Sequence, residues 1–244
     1  MSKILTRIVV LVFLVLLMLA SPGLLGCTKS PVLVAVEVGF LGDLTGLAGF
    51  EEVPTLWGIK DYLRKVEEGD LIIPGVWGVR VIAYDTKGES SRVRSGWAWL
   101  KEMGAILAIM SVASVQAQMI HELEEDGIPC LSWDPVRADI ALETVDGSVW
   151  LTAFPYWTHN VPFVAECKET LLKYRPDEAE LCMENAGYII GYGMGMVVTD
   201  ALRRAVEEEG AEHVDGPALR DAFEGWRSPW KWTEINVVFR TPKK

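Results

Sequence analysis

The stretch Ala105–Asp134, AILAIMSVASVQAQMIHELEEDGIPCLSWD, restricts the fold more than any other part of the chain. It reads as a buried strand (Ala105–Met110), a loop of small residues (Ser111–Ser114), a helix, a turn at Asp126-Gly127 and a second buried strand (Ile128–Ser132). Unbroken apolar runs, rather than alternation, are what a parallel sheet covered on both faces requires. Between them Val115, Met119, Ile120 and Leu123 recur at helical spacing, while Glu122, Glu124, Glu125 and Asp126 turn outward. The unit is strand, crossover, strand. In open sheets of this kind ligands sit beyond the carboxyl ends of the strands, so Ser111–Ser114 and Trp133–Arg137 mark the expected working edge.

The chain repeats that unit. Val32–Gly39 reads as a first strand, followed by a Gly-rich loop, Phe40–Glu52, that carries Asp43 and Thr45. A helix from Thr55 to Val66 places Leu56, Ile59, Leu63 and Val66 on one face. After a turn with Pro74-Gly75 come a second strand, Val79–Tyr84, a polar loop from Asp85 to Ser91, and a helix, Arg92–Met103, burying Val93, Trp97, Leu100 and Met103. Strands alternating with helices give a doubly wound α/β sheet. Further on, Ser148–Phe154 reads as a strand and Val161–Tyr174 as a helix with Phe163, Val164, Cys167 and Leu171 inward. Glu184–Glu208 reads as one long helix, whose Gly187, Gly191 and Gly195 form a smooth face for close contact with another element. Asp215 caps a last short helix with Leu219, Ala222, Phe223 and Trp226 inward, and Ile235–Phe239 is a strand in a tail (227–244) expected to lie loose.

Composition narrows the function. The chain of 244 residues has a formal net charge of −11. It has no basic cluster with which to neutralise phosphates, which argues against nucleic acid as a partner. Lys3 and Arg7, then the apolar run Ile8–Ala20, then Leu24-Leu25-Gly26-Cys27 resemble a bacterial lipoprotein signal peptide (1–26) ending in a lipobox. That resemblance makes Cys27 the lipid anchor and residues 27–31 a tether; the alternative is an uncleaved anchor helix. Both place the rest of the chain outside the cytoplasm and against a membrane. His121, His159 and His213 are scattered, with no metal-ligand spacing among them, and no nucleophile–base set or phosphate-cradling loop appears. Neither a cofactor, a metal nor an enzymatic activity is expected. In an oxidising compartment Cys167 and Cys182 can pair, while Cys130, inside a strand, reads as a small hydrophobe.

The order GFLGDLTG, helix, VRVIAYDTKG, helix, AILAIMSVAS, helix, GIPCLSWD resembles the first lobe of a periplasmic solute-binding protein of the leucine/isoleucine/valine type that serves ABC transporters. The segment AFPYWTHN…GYIIGYGMGMVVTDALRRA, followed by DGPALRDAFEGW, resembles the return of the chain into that lobe. The resemblance implies a type I periplasmic-binding-protein lobe over residues 32–226. The second lobe is absent between about 143 and 148, because Pro135–Val149 are too few to hold even one strand–helix crossover. It implies binding of a small polar solute, an amino acid or amide, for an ABC permease. Residues after the third strand would hold the ligand carboxylate, with Ser114 matching by its place in SVASVQ and Ser111 beside it. Ser114 reads equally as the cap of the helix that Val115 begins. Residues after the fourth strand would take the ammonium, and here Trp133-Asp134-Pro135-Val136 makes Asp134 and Val136 the candidates. Thr45 and Asp85, in the loops after the first and second strands, complete the set. A sensory or protein-interaction lipoprotein using the same edge is the alternative.

Overall fold

The computed structural model describes residues 33–69, 73–110, 119–133, 148–153, 155–223 and 236–239. Their strands are β1 Val34–Gly42, β2 Val76–Asp85, β3 Ala105–Met110, β4 Cys130–Ser132, β5 Ser148–Ala153 and β6 Asn236–Phe239. They lie side by side in the order β2-β1-β3-β4-β5-β6. The first five are parallel, and β6 runs antiparallel to β5. β1 is an interior strand, between β2 and β3, and its residues from Val36 to Gly42 are buried. It sets Val38 beside Val81 on one side and Leu107 on the other.

Helices cover both faces. Val36, Val38, Phe40, Leu107, Ile109 and Leu131 pack under α1 Gly49–Glu68, α4 Pro162–Tyr174, α5 Ala179–Glu184, α6 Gly187–Glu209 and α7 Gly216–Phe223. Leu41, Ala105, Ala108, Met110 and Cys130 pack under α2 Ser90–Glu102 and α3 Ile120–Asp126. The alternation of Phe40 and Leu41 between the two cores is the strand's period of two, with an apolar layer on each side. The expected inward residues of α1, α4 and α7 are buried, apart from Trp226, which lies outside the described residues. Met103 is not: it sits just past the end of α2, half-exposed. Asp215 caps α7 as expected, its Oδ1 accepting the Ala218 N–H at 2.9 Å.

Three expectations about boundaries change. α1 begins at Gly49, ahead of Pro54, rather than at Thr55. Proline has no N–H to give the carbonyl four residues back; that carbonyl, of Phe50, instead accepts Asn185 Nδ2 at 3.0 Å. The expected helix from Glu184 is interrupted at Asn185-Ala186, where Asn185 Oδ1 accepts the Gly187 N–H at 2.8 Å and starts α6 afresh. The tail strand is not loose, since Asn236–Phe239 extends the sheet beside β5.

α1 and α6 meet at their glycines. A Cβ on Gly191 would overlap the Thr55 carbonyl, one on Gly187 the Glu51 carbonyl, and one on Gly58 the Tyr188 carbonyl. The smooth face expected of Gly187, Gly191 and Gly195 is therefore the seat of α1. A buried ion pair ties the same region together. Asp61, 3% exposed, accepts Arg175 Nε at 2.6 Å and Nη2 at 2.9 Å, and Tyr188 donates to it at 3.1 Å.

β4 and β5 are parallel neighbours, so residues 133–147 carry the chain back along the sheet. This corrects the expectation that the segment is too short for a crossover. A dozen or so residues suffice for one return, though not for several strand–helix units of about thirty residues each. The expected Cys167–Cys182 pairing is likewise not made, as both are buried free thiols. Burial lifts the Cys182 thiol to about 11 and the Cys167 thiol well above its usual range, so each fills core volume as a neutral group. Cys130 is also a buried free thiol.

Candidate functional site

Five parallel strands present their carboxyl ends at one edge of the sheet, where the loops after β1 and β2 are held together by carboxylates. Asp43 follows β1. Its Oδ1 accepts the Gly46 N–H at 2.6 Å and its Oδ2 the Ala48 N–H at 3.0 Å, which folds the loop into the start of α1. The Asp43 N–H donates to Glu52 Oε2 at 2.5 Å, and Glu52 is buried. Gly42 leaves room for this, since a Cβ there would strike the Glu52 carboxylate and the Phe40 ring.

Thr45 and Asp85, proposed from sequence as site residues, are brought together. Thr45 Oγ1 donates to Asp85 Oδ2 at 2.6 Å, while Asp85 Oδ1 accepts the N–H groups of Leu44 and Lys87, both at 2.9 Å. Partial burial alone would raise the Asp85 carboxyl; the hydrogen bonds from Thr45 and from the backbone of Lys87, Leu44 and Thr45 outweigh it and hold the group below its usual range. Thr86 N–H closes the join on the Gly42 carbonyl at 2.8 Å. Both side chains are thus engaged in fastening two loops to each other. Ser111, Ser114, Asp134 and Val136 lie outside the described residues, as do Cys27, the leader and the tether.

The end of β4 holds Ser132, which the sequence reading passed over, beside Trp133, which it placed at the working edge. Ser132 is fully buried, and among the described residues neither its Oγ nor the buried Nε1 of the adjacent Trp133 has a hydrogen-bond partner; the two side chains face opposite sides of the sheet. A buried hydroxyl left unbonded costs about 1–3 kcal/mol, which makes Ser132, at a strand's carboxyl end, a candidate for contact with a ligand. The sequence signal was a serine closing an otherwise apolar strand. Trp157, in the loop before α4, is by contrast a packing residue: it is buried, donates to the Asn185 carbonyl at 2.7 Å and stacks on Tyr188. Among the described residues no group of His, Cys, Asp and Glu could hold a metal ion, and no helix is long and apolar enough to cross a membrane.

No protein-family model matches the chain, and no curated protein matches it in sequence. Solved structures do share its fold. A branched chain amino acid ABC transporter protein from Thermus thermophilus with bound valine superposes with a TM-score of 0.65 at 12% identity, over 85% of this chain and 89% of that one. An ABC transporter substrate binding protein from Aeropyrum pernix gives 0.63 at 11% identity, over 86% and 89%. A periplasmic binding protein type 1 from Bordetella pertussis gives 0.60 at 9% identity, over 85% and 92%. At these identities the likeness is one of fold: a parallel α/β sheet with helices on both faces, as in a type I periplasmic-binding-protein lobe.

Proposed function

We propose that this chain is an extracytoplasmic solute receptor. It captures a small polar molecule, an amino acid or amide, for an ABC permease, and it does so without chemistry, from a lipid anchor at Cys27. The observation that carries the reading is the buried Ser132 Oγ, a donor without a hydrogen-bond partner among the described residues, at the carboxyl end of β4. A bound solute with a carboxylate or amide oxygen would accept from Ser132 Oγ, while Trp133, which packs into the core of Leu131, faces the other side of the sheet. The shared fold supports the reading, because its neighbours include a structure with valine bound. Ser111, Ser114, Asp134 and Val136 are proposed to complete the contact, while Thr45 and Asp85 shape the rim.

The test is calorimetry on the wild type and Ser132→Ala against a panel of amino acids and amides. An orphaned buried hydroxyl weighs on the empty protein and is satisfied in the loaded one. Ser132→Ala is therefore expected to stabilise the empty chain by about 1 kcal/mol and to weaken solute binding roughly tenfold. Loss of stability with unchanged affinity would count against a solute at this position.

A second reading has its own observation. Leu47 is 97% exposed and Phe50 64% exposed on the loop and helix start after β1, and such side chains suit a protein surface better than a polar solute. A membrane-tethered sensory or interaction lipoprotein would respond to no solute, yet would lose its partner on Phe50→Ser.

A further inference from the structure

The opposite end of the sheet carries a groove that solute capture does not use. It lies where α1 ends and where β1 and β2 begin. Leu33, Leu63, Val66, Ile73, Val76 and Trp77 form most of its walls, and its volume is about 280 Å³. Val34 N–H bonds the Gly75 carbonyl at 2.9 Å, which fixes the entry of the chain beside this groove. Two of its apolar side chains stand out into solvent, Leu33 at 61% and Trp77 at 60% exposed. Among the described residues Glu67 is the one charged residue of its lining, and it accepts the Val79 N–H at 3.3 Å; next to it in sequence, Glu68 pairs with Arg64 and Lys173. Glu68 is held down to about 2, by hydrogen bonds from Tyr174 first and then from Lys173 and Arg64, so this cluster stays ion-paired throughout the physiological range.

We infer that this groove rests on the surface of the membrane in which the chain is anchored, with Trp77 and Leu33 entering the interface. The inference rests on the lipid anchor of the preceding reading. Cys27 precedes Leu33 by six positions, and an extended chain of that length spans about 20 Å, so the groove cannot move far from the lipid once Cys27 is acylated. Tryptophan favours the boundary between headgroups and acyl chains. A surface without net positive charge suits a zwitterionic bilayer rather than an acidic one. β1 separates this end from the solute edge by about 30 Å, so docking here turns the solute-binding loops away from the lipid and leaves them open for capture.

The test uses the full chain, acylated in cells and reconstituted into phosphatidylcholine vesicles, with amide hydrogen exchange as the readout and mass spectrometry of Cys27 as the check on the anchor. Residues 73–79 are expected to exchange roughly tenfold more slowly on vesicles than in detergent, with residues 43–50 unchanged. Trp77→Ser is expected to abolish that difference while the chain stays on the vesicles. An acylated, vesicle-bound chain with no protection at 73–79 overturns the docking and leaves the anchor standing. A chain without lipid on Cys27 overturns both. Protection that persists in detergent assigns the groove to a second copy of the protein and overturns the lipid assignment.

Discussion

Thr45 and Asp85 stand far apart in sequence and share a 2.6 Å hydrogen bond, which gives the loop edge a pH dependence. The Asp85 carboxyl is held below its usual range in the folded chain. A depressed carboxyl contributes stability that is complete above its unfolded value, about 3.9, and that is lost as the pH falls through the lowered folded value. Thr45→Val removes one of the stabilising donors. It is expected to cost about 0.5 kcal/mol at pH 7, a value reduced from that of a charge-assisted bond because the pair is partly exposed to water. Urea melts at pH 7 and pH 3 would show the gap between variant and wild type narrowing on the acid side; a gap of the same size at both would mean that the carboxylate is not involved. At this scale the sequence was only half informative. The resemblance and their place after the first two strands marked Thr45 and Asp85, but nothing in a linear string shows that two polar groups will satisfy each other, and the orphaned state of Ser132 exists only once the sheet has buried it.

Period and apolar content made the elements easier to read. β1, β3 and α4 follow from unbroken runs and helical spacing, and the glycines of α6 pointed to a close approach before its partner was known. What failed were the junctions. The apolar spacing put the start of α1 at Thr55, after Pro54, and Asn185, distant in sequence, takes the carbonyl that the proline leaves without a donor. The same asparagine moves the start of the long helix from Glu184 to Gly187, and the short α5 before it was not read from the sequence. Side chains that act on remote backbone groups leave no local periodicity. The α1–α6 seam makes a sharp prediction. Alanine is favoured over glycine in a helix by about 1 kcal/mol, yet the Cβ of Gly191→Ala would enter the space of the Thr55 carbonyl. Because backbone on both sides must shift, the variant is expected to lose about 2 kcal/mol or more despite its better propensity. A chemical melt at or above wild-type stability would mean that the helices are not in contact at that glycine.

At the scale of the whole molecule, affinity depends on how much of the solute one sheet edge can cover. Ligand pockets that hold small molecules tightly bury 70–90% of the ligand, which in two-lobed receptors of this fold is achieved by closing two walls on each other. Only residues 133–147 stand between β4 and β5, fewer than the several strand–helix units of about thirty residues each that a second wall would need. A solute seated on Ser132 would then have water on its far side, and every hydrogen bond it makes would compete with solvent. The expected Kd for the isolated monomer is about 1 mM or weaker, near −4 kcal/mol. The measurement is titration calorimetry on a chain shown to be monomeric by sedimentation, repeated in the presence of the permease. Sub-micromolar binding by the monomer alone would refute the single-wall account. Tightening by the permease would place the opposing wall there, since a second surface gains affinity chiefly by removing the water that the first leaves in place.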